Sequence, residues 1–573
     1  MTLPRSGVLA GFVIVLASAA CRNSASPAVA GPPQIVQLNQ GWSEREAEFY
    51  AHADEGTNLA PLDFLVNLPD PAKPGARFID KLTTDYGFIA SEKSAANPQG
   101  FPVGFTIDDR PAAFGDRVYA GITCSACHTR QLTYTRAKAD ANGRTASWVL
   151  PVHGGPGLVD IQRFTRDVYD AFFALLDNDK LATPFAQGVL GRVPSADDLT
   201  ALRNEIREFS EPIAATRAVI AGLKIPPADF GPGNLNALSQ GNYNNIGLFA
   251  WLTKKKFLPP SNAPQSEPHF EGTVNLPPMW FAHADTWAQW FAEIHDPGPR
   301  NWVQSVSTSQ VRPPKMTAAL QAKVIVASIN FDNIAEIQRS LERLRTPKWP
   351  EPVMGTLDRG RVEAGRAIYE QSCARCHTRK VLPPNSLGVV FKDRPAFDVG
   401  TDPTAYQQFA DGIEVRAAGL KRLSESTLAA RQAQLEARFD HDTVLNYMKL
   451  DSRGRPNEFG LAQDDYKDNA EANWPKTGAA YWASPLDGIF ASSPYFHNGS
   501  VRTLSDVLTP PAQRPTTFRT GTTEFDVEGV GLRDEGPFLY NTAEPGKGNG
   551  GHQFGTDLAR DKKAALIEYL KSL

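Results

Sequence analysis

Cys124-Ser125-Ala126-Cys127-His128 and Cys373-Ala374-Arg375-Cys376-His377 decide the reading of this chain. Each is C-x-x-C-H, the spacing of a c-type haem attachment site. Two thiols can form thioethers to the porphyrin vinyls, and the adjacent imidazole then reaches the iron. The chain of 573 residues has five cysteines, and the two motifs use four of them. A redox dithiol leaves the histidine after each pair unexplained. A four-cysteine zinc site brings its halves within roughly 15–20 residues, far closer than positions 127 and 373. Structural disulfides leave both histidines without a role.

Haem attachment occurs outside the cytoplasm, and the N-terminus agrees. Arg5 supplies a charged n-region, and Gly7 to Ala20 is an apolar run shorter than the roughly 20 residues of a membrane span. Residues 1–30 read as a signal peptide, which predicts a periplasmic or secreted protein. Cys21, the fifth cysteine, has two readings. It is the lipidated first residue of an outer-membrane lipoprotein, or cleavage after Ala28-Val29-Ala30 discards it. The only membrane contact expected is through that lipid.

The composition is 41% hydrophobic and 21% charged, that of an ordinary globular protein. A formal charge of −4 gives no reason to expect nucleic acid. The 45 prolines and 45 glycines imply long irregular connections. The expected architecture is therefore mainly α, with two cytochrome c-type haem domains, long irregular loops and insertions, and little β.

Residues 37–345 form the expected N-terminal haem domain, with helices predicted over 199–223 and 316–344. Residues 346–358 are the linker, where three prolines fall within Pro347–Pro352. Residues 359–573 form the expected C-terminal cytochrome c domain. Val362, Gly365 and Tyr369 share one helical face leading into Cys373. Leu566, Tyr569, Leu570 and Leu573 share another at the end of the chain, with Thr556 as the candidate N-cap. Both motifs continue as Cys-His-Thr-Arg, at 127–130 and 376–379, a hint of duplication.

The axial ligands decide what each iron can do. His128 and His377 supply one each. An iron with two protein ligands transfers electrons, whereas an open one binds O2 or peroxide. For the second haem, His552 lies among glycines that allow close approach to a flat cofactor, and His497 lies in a turn-like segment. No methionine follows Met448, so bis-histidine ligation is favoured there.

From the first motif to Pro494-Tyr495-Phe496-His497-Asn498-Gly499-Ser500-Val501 and Thr503-Leu504, the chain resembles the bacterial dihaem cytochrome c peroxidase superfamily. Gly100–Thr106, Leu276-Pro277-Pro278-Met279-Trp280 and Gly551–Thr556 look most like its rubber-oxygenase branch. The resemblance covers most of the chain from about residue 80. It implies a first haem on Cys124, Cys127 and His128 that takes O2. It implies a six-coordinate second haem on Cys373, Cys376 and His377 with His552 opposite. It implies Trp280 between the haems as an electron-transfer aromatic, and a Ca2+ ion between them. The superfamily also places Met or Tyr on the second iron, so Tyr540 stands as an alternative to His552. The aromatic-rich Trp280–Phe291 stretch is the expected border of a substrate pocket.

Three functions follow as expectations. The first is a dihaem dioxygenase cleaving an apolar unsaturated substrate such as polyisoprene. The second is a peroxidase reducing H2O2 with electrons from a small redox protein, using His153 or His283 as distal base. The third is a non-enzymatic electron carrier.

Overall fold

The computed structural model describes residues 33–110, 117–136, 146–222, 229–236, 271–283, 287–288, 290, 294–295, 301, 329–377, 396–410, 433, 436–437 and 481–573. The signal-peptide region, Cys21, Met448 and Phe291 lie outside them. None of the described helices is long and apolar enough to cross a membrane.

The architecture is mixed, which corrects the expectation of a mainly α protein. Helix accounts for 40% and strand for 15% of the described residues. The strands form several small sheets, the largest of three strands. The longest pairing is the antiparallel ladder of Thr129–Thr135 with Ser147–His153. Its cause is local. Trp148, Leu150 and Val152 alternate with outward residues, the period of a half-buried strand. Tyr134 and Trp148 stack across the ladder with ring centroids 5.8 Å apart. A second sheet orders Ala60–Pro61, Tyr119–Ile122 and Phe105–Asp108.

The two motifs therefore sit in different local settings. The first occupies a 3-10 turn, Cys124–Ala126, between strand Tyr119–Ile122 and strand Thr129–Thr135. The second follows helix Arg359–Ser372 directly, with Cys373 as its C-cap. Asp358 caps the start of that helix through Gly360 N and Arg361 N.

Helix Arg359–Ser372 crosses the terminal helix Arg560–Ser572. Gly365 lies at the crossing, where a Cβ would stand only 2.0 Å from the Ala565 carbonyl oxygen. Tyr369 and Tyr569 meet beside it at 5.2 Å. Leu566, Tyr569, Leu570 and Leu573 are all buried, as their spacing predicts. Thr556 is not the N-cap. The helix starts at Arg560 after Ala559, and Thr556 instead accepts from Lys563 Nζ through its carbonyl.

The predicted 199–223 helix is Ala196–Gly222. The 316–344 helix is described only as Phe331–Arg343, capped by Asn330. Two apolar clusters organise the interior. One gathers edge-on aromatics around Phe64, Phe88, Phe105, Phe164 and Phe172. The other joins Tyr50, Leu132 and Trp280 to Trp349, Tyr369, Phe490 and Leu566. The second cluster thus draws side chains from around both motifs.

Candidate haem sites

At the second motif the chain turns tightly, with Cys376 N and His377 N both donating to the Cys373 carbonyl. Tyr369 Oη donates to the His377 carbonyl. His377 Nδ1 lies 2.7 Å from the Ser484 carbonyl oxygen. A carbonyl only accepts, so Nδ1 carries the proton and Nε2 keeps its lone pair for a metal. Burial lowers the His377 pKa, which maintains the neutral ligand form.

Across from it stands His552, with ring centroids 6.2 Å apart. Two imidazole–metal bonds of about 2 Å each, with the ring half-widths added, put trans imidazoles roughly 6 Å apart. Burial pushes the His552 pKa down to about 4, so this ring is also neutral at physiological pH. The two histidines share a cavity of about 230 Å³ with Cys373, Cys376, Phe496 and Leu508. Burial and the neighbouring Cys376 raise the Cys373 thiol to about 11, so it is not poised as a metal thiolate. Thiols, facing imidazoles and apolar walls together fit a covalently bound haem c.

The loop presenting His552 is held in a demanding conformation. His552 has φ 46° and Gly551 φ 68°. A Cβ at Gly551 would stand 2.2 Å from the Gly400 carbonyl carbon, so only glycine fits. His552 N donates to the Val399 carbonyl at 2.8 Å. Arg514 gathers the loop from below: its Nη1 donates to Asn549 O and Gly551 O, and its Nη2 to His552 O and Val507 O. Asn498 Nδ2 donates to Gly546 O and Gly548 O.

The alternative ligands sit differently. His497 is buried in the wall of the same cavity, stacked on Tyr481 at 3.7 Å. Its pKa is pushed down to about 3 by burial. Tyr540 does not line that cavity, and its hydroxyl donates to Asn498 O at 2.7 Å.

The first motif repeats the second's bonding. His128 Nδ1 lies 2.9 Å from the Pro277 carbonyl oxygen. Tyr50 Oη donates to the His128 carbonyl, as Tyr369 does to His377. Tyr50 comes from helix Glu44–His52, far upstream rather than immediately before the motif. Glu55 accepts from Cys124 N at 2.8 Å and from Thr123 Oγ1. Gly104 admits the turn, because a Cβ there would stand 2.3 Å from Ala126 Cα.

Trp280 is buried, and its Nε1 donates to the His153 carbonyl at 2.9 Å. Its Cζ3 lies 3.0 Å from where a Gly488 Cβ would be. Leu486 and Ile489, on either side of Gly488, line the second cavity. The indole therefore spans from the strand paired with the first motif to the wall of the second site. Trp290, from the same aromatic stretch, also lines that cavity and donates to Asn275 O. His153 is the strand partner of Thr129 and its ring packs on Trp42. No cluster of three or more His, Cys, Asp or Glu suited to a metal ion occurs among the described residues.

Tyr50, Glu55, Ser484 and Arg514 escape sequence reading because their contacts are long-range. Tyr50 and Tyr369, each on a helix and each donating to its motif's histidine carbonyl, are the shared feature of the two surroundings.

A family model described as "RoxA-like, cytochrome c-like" matches residues 480–519, the segment holding Ser484, the His497-Asn498-Gly499-Ser500 turn and Arg514. Its match implies covalently bound haem c and a haem oxidoreductase. Protein y4iM of Sinorhizobium fredii, an uncharacterized protein, is 25% identical over 53% of this chain and 61% of its own length. Protein y4iJ of the same organism, also uncharacterized, is 30% identical over 94% of this chain and 93% of its own. With similarity running along nearly the whole of both proteins, the chain belongs to one family with y4iJ, and within it carries a RoxA-like cytochrome c segment.

Proposed function

We propose that the protein is an exported dihaem c-type oxidoreductase of the dihaem peroxidase superfamily, in its rubber-oxygenase-like branch. It activates O2 at the haem on Cys124, Cys127 and His128 and cleaves an apolar unsaturated substrate. The observation that carries this reading is the shared bonding of the two motifs combined with the His377–His552 pair. Two C-x-x-C-H turns, each with its histidine Nδ1 on a backbone carbonyl and a tyrosine on its own carbonyl, support two haems. His377 and His552 would hold the second haem's iron between them, and bis-histidine ligation would supply electron transfer at a lower potential. Chemistry with an exogenous ligand then falls to the first.

Bound haem c supplies the electron and dioxygen chemistry, while the chain supplies position, tuning and exclusion of water. Pro277 and Ser484 carbonyls orient the ligand imidazoles and strengthen them as donors. Trp280 carries electrons between the sites. A small redox protein or another reductant delivers electrons from outside. A periplasmic or secreted location goes with haem attachment, and a long polymeric substrate would have to be met outside the outer membrane.

Peroxide reduction is the second reading, favoured by His153. It pairs with Thr129 beside the first motif, and burial lowers its pKa, which keeps the imidazole neutral with a free lone pair. Dithionite reduction followed by CO titration, read optically and by EPR, tests the scheme. One CO-binding haem beside one low-spin bis-histidine haem is expected. Two haems closed to CO indicate an electron carrier and sink the oxygenase. Cleavage of polyisoprene with O2 uptake, against peroxide-dependent oxidation of a reduced cytochrome, separates the two enzymatic readings.

A further inference from the structure

Arg130 stands two residues beyond His128, in strand Thr129–Thr135, and only 1% of it is exposed. Its Nη1 donates to the Ala491 carbonyl at 2.9 Å. Its Nε and Nη2 are buried with no hydrogen-bond partner among the described residues. An arginine guanidinium stays cationic at neutral pH.

A buried cation resting on one neutral carbonyl is a high-energy arrangement. Nε and Nη2 form one edge of the guanidinium, the edge that takes a carboxylate side-on with two parallel bonds. Arg110 holds Asp108 in this way elsewhere in the protein, through Nε and Nη2 at 2.9 Å each. At Arg130 the same two donors are present, and no side-chain carboxylate among the described residues meets them.

The position narrows its source. Ala491 belongs to the 3-10 turn Ile489–Ser492, and Ile489 and Tyr495 line the second cavity. The guanidinium therefore lies between the first motif and the wall of the second site. Resting on the two-haem reading, we propose that Arg130 is a carboxylate site that anchors a haem propionate side-on at the junction of the two haem sites. The propionate comes from either haem, and the test below distinguishes them.

The experiment compares the parent holoprotein with Arg130→Met and Arg130→Lys. Haem content is counted by pyridine haemochrome, and each midpoint potential is followed spectroscopically. A cation beside a propionate disfavours the ferric state, so Arg130→Met is expected to lower one of the two potentials. Lysine keeps the charge without the fork and is expected to lower the same potential less. The haem that shifts, the low-spin one with His377 and His552 or its partner, identifies the propionate. Resonance Raman propionate bending bands of the parent and Arg130→Lys give a second reading if Arg130→Met fails to mature; the band is expected to move. Unchanged potentials and unchanged propionate bands overturn the anchor while leaving two haems in place. A parent with fewer than two haems refutes the two-haem reading instead, and its remaining potential still reports on Arg130.

Discussion

At the scale of single residues, the second site depends on which imidazole faces His377. His552 is at the right separation and is kept neutral by burial. Replacing His552 with Ala is expected to convert the second haem from low-spin to a state that binds CO or cyanide. An unchanged low-spin EPR signal would falsify its assignment and turn attention to His497. His497 has its own measurable consequence. Its pKa falls from 6.5 to about 3 on folding, because the charged form would be buried. The folded state therefore binds this proton less well than the unfolded chain. Its contribution to stability is complete above pH 6.5 and drains away as pH falls toward 3. In the phenylalanine variant, His497→Phe, melting temperature should fall less steeply between pH 6.5 and 4. Parallel melting curves for variant and parent would exclude a buried neutral imidazole at 497.

At the scale of elements, two features hold the second site together. The helix before Cys373 approaches the terminal helix so closely at Gly365 that a Cβ collides with the Ala565 backbone. Gly365→Ala is expected to cost about 1–3 kcal/mol by overpacking, read as a lower melting temperature of the holoprotein. The other feature is the Arg514 clamp, whose guanidinium also donates through Nε to Asp506 O and Thr509 O. These contacts tie the loop of His552 to the segment 506–509. Arg514→Met removes charge-assisted bonds to several carbonyls, with an expected loss of at least about 2 kcal/mol. Because the loop sets the His552 backbone, the same variant should show a mixed-spin second haem. A uniform low-spin signal at parent stability would mean that the loop holds itself.

At the scale of the whole molecule, one apolar cluster joins the surroundings of both motifs, and Trp280 lies within it. Trp280→Phe keeps most of the packing while removing the indole and its bond to His153 O. Flash photolysis or pulse radiolysis should show slower electron exchange between the haems at unchanged potentials. Equal rates would reduce Trp280 to a core residue.

Local pattern determined the parts of this protein whose chemistry is contiguous. Two C-x-x-C-H turns are complete in five residues each, and the faces Val362–Gly365–Tyr369 and Leu566–Tyr569–Leu570–Leu573 follow from helical spacing alone. The expectation of little β passed over the strands flanking the first motif, although Trp148, Leu150 and Val152 alternate visibly. The helix serving the first motif arrives from Glu44–His52. The rest was decided only by tertiary structure. The Pro277 and Ser484 carbonyls reach their histidines from 149 and 107 residues away. Arg130 meets Ala491 across 361. A backbone carbonyl has no sequence signature, and which donors of a guanidinium go unmet among the described residues shows only once its surroundings have closed around it.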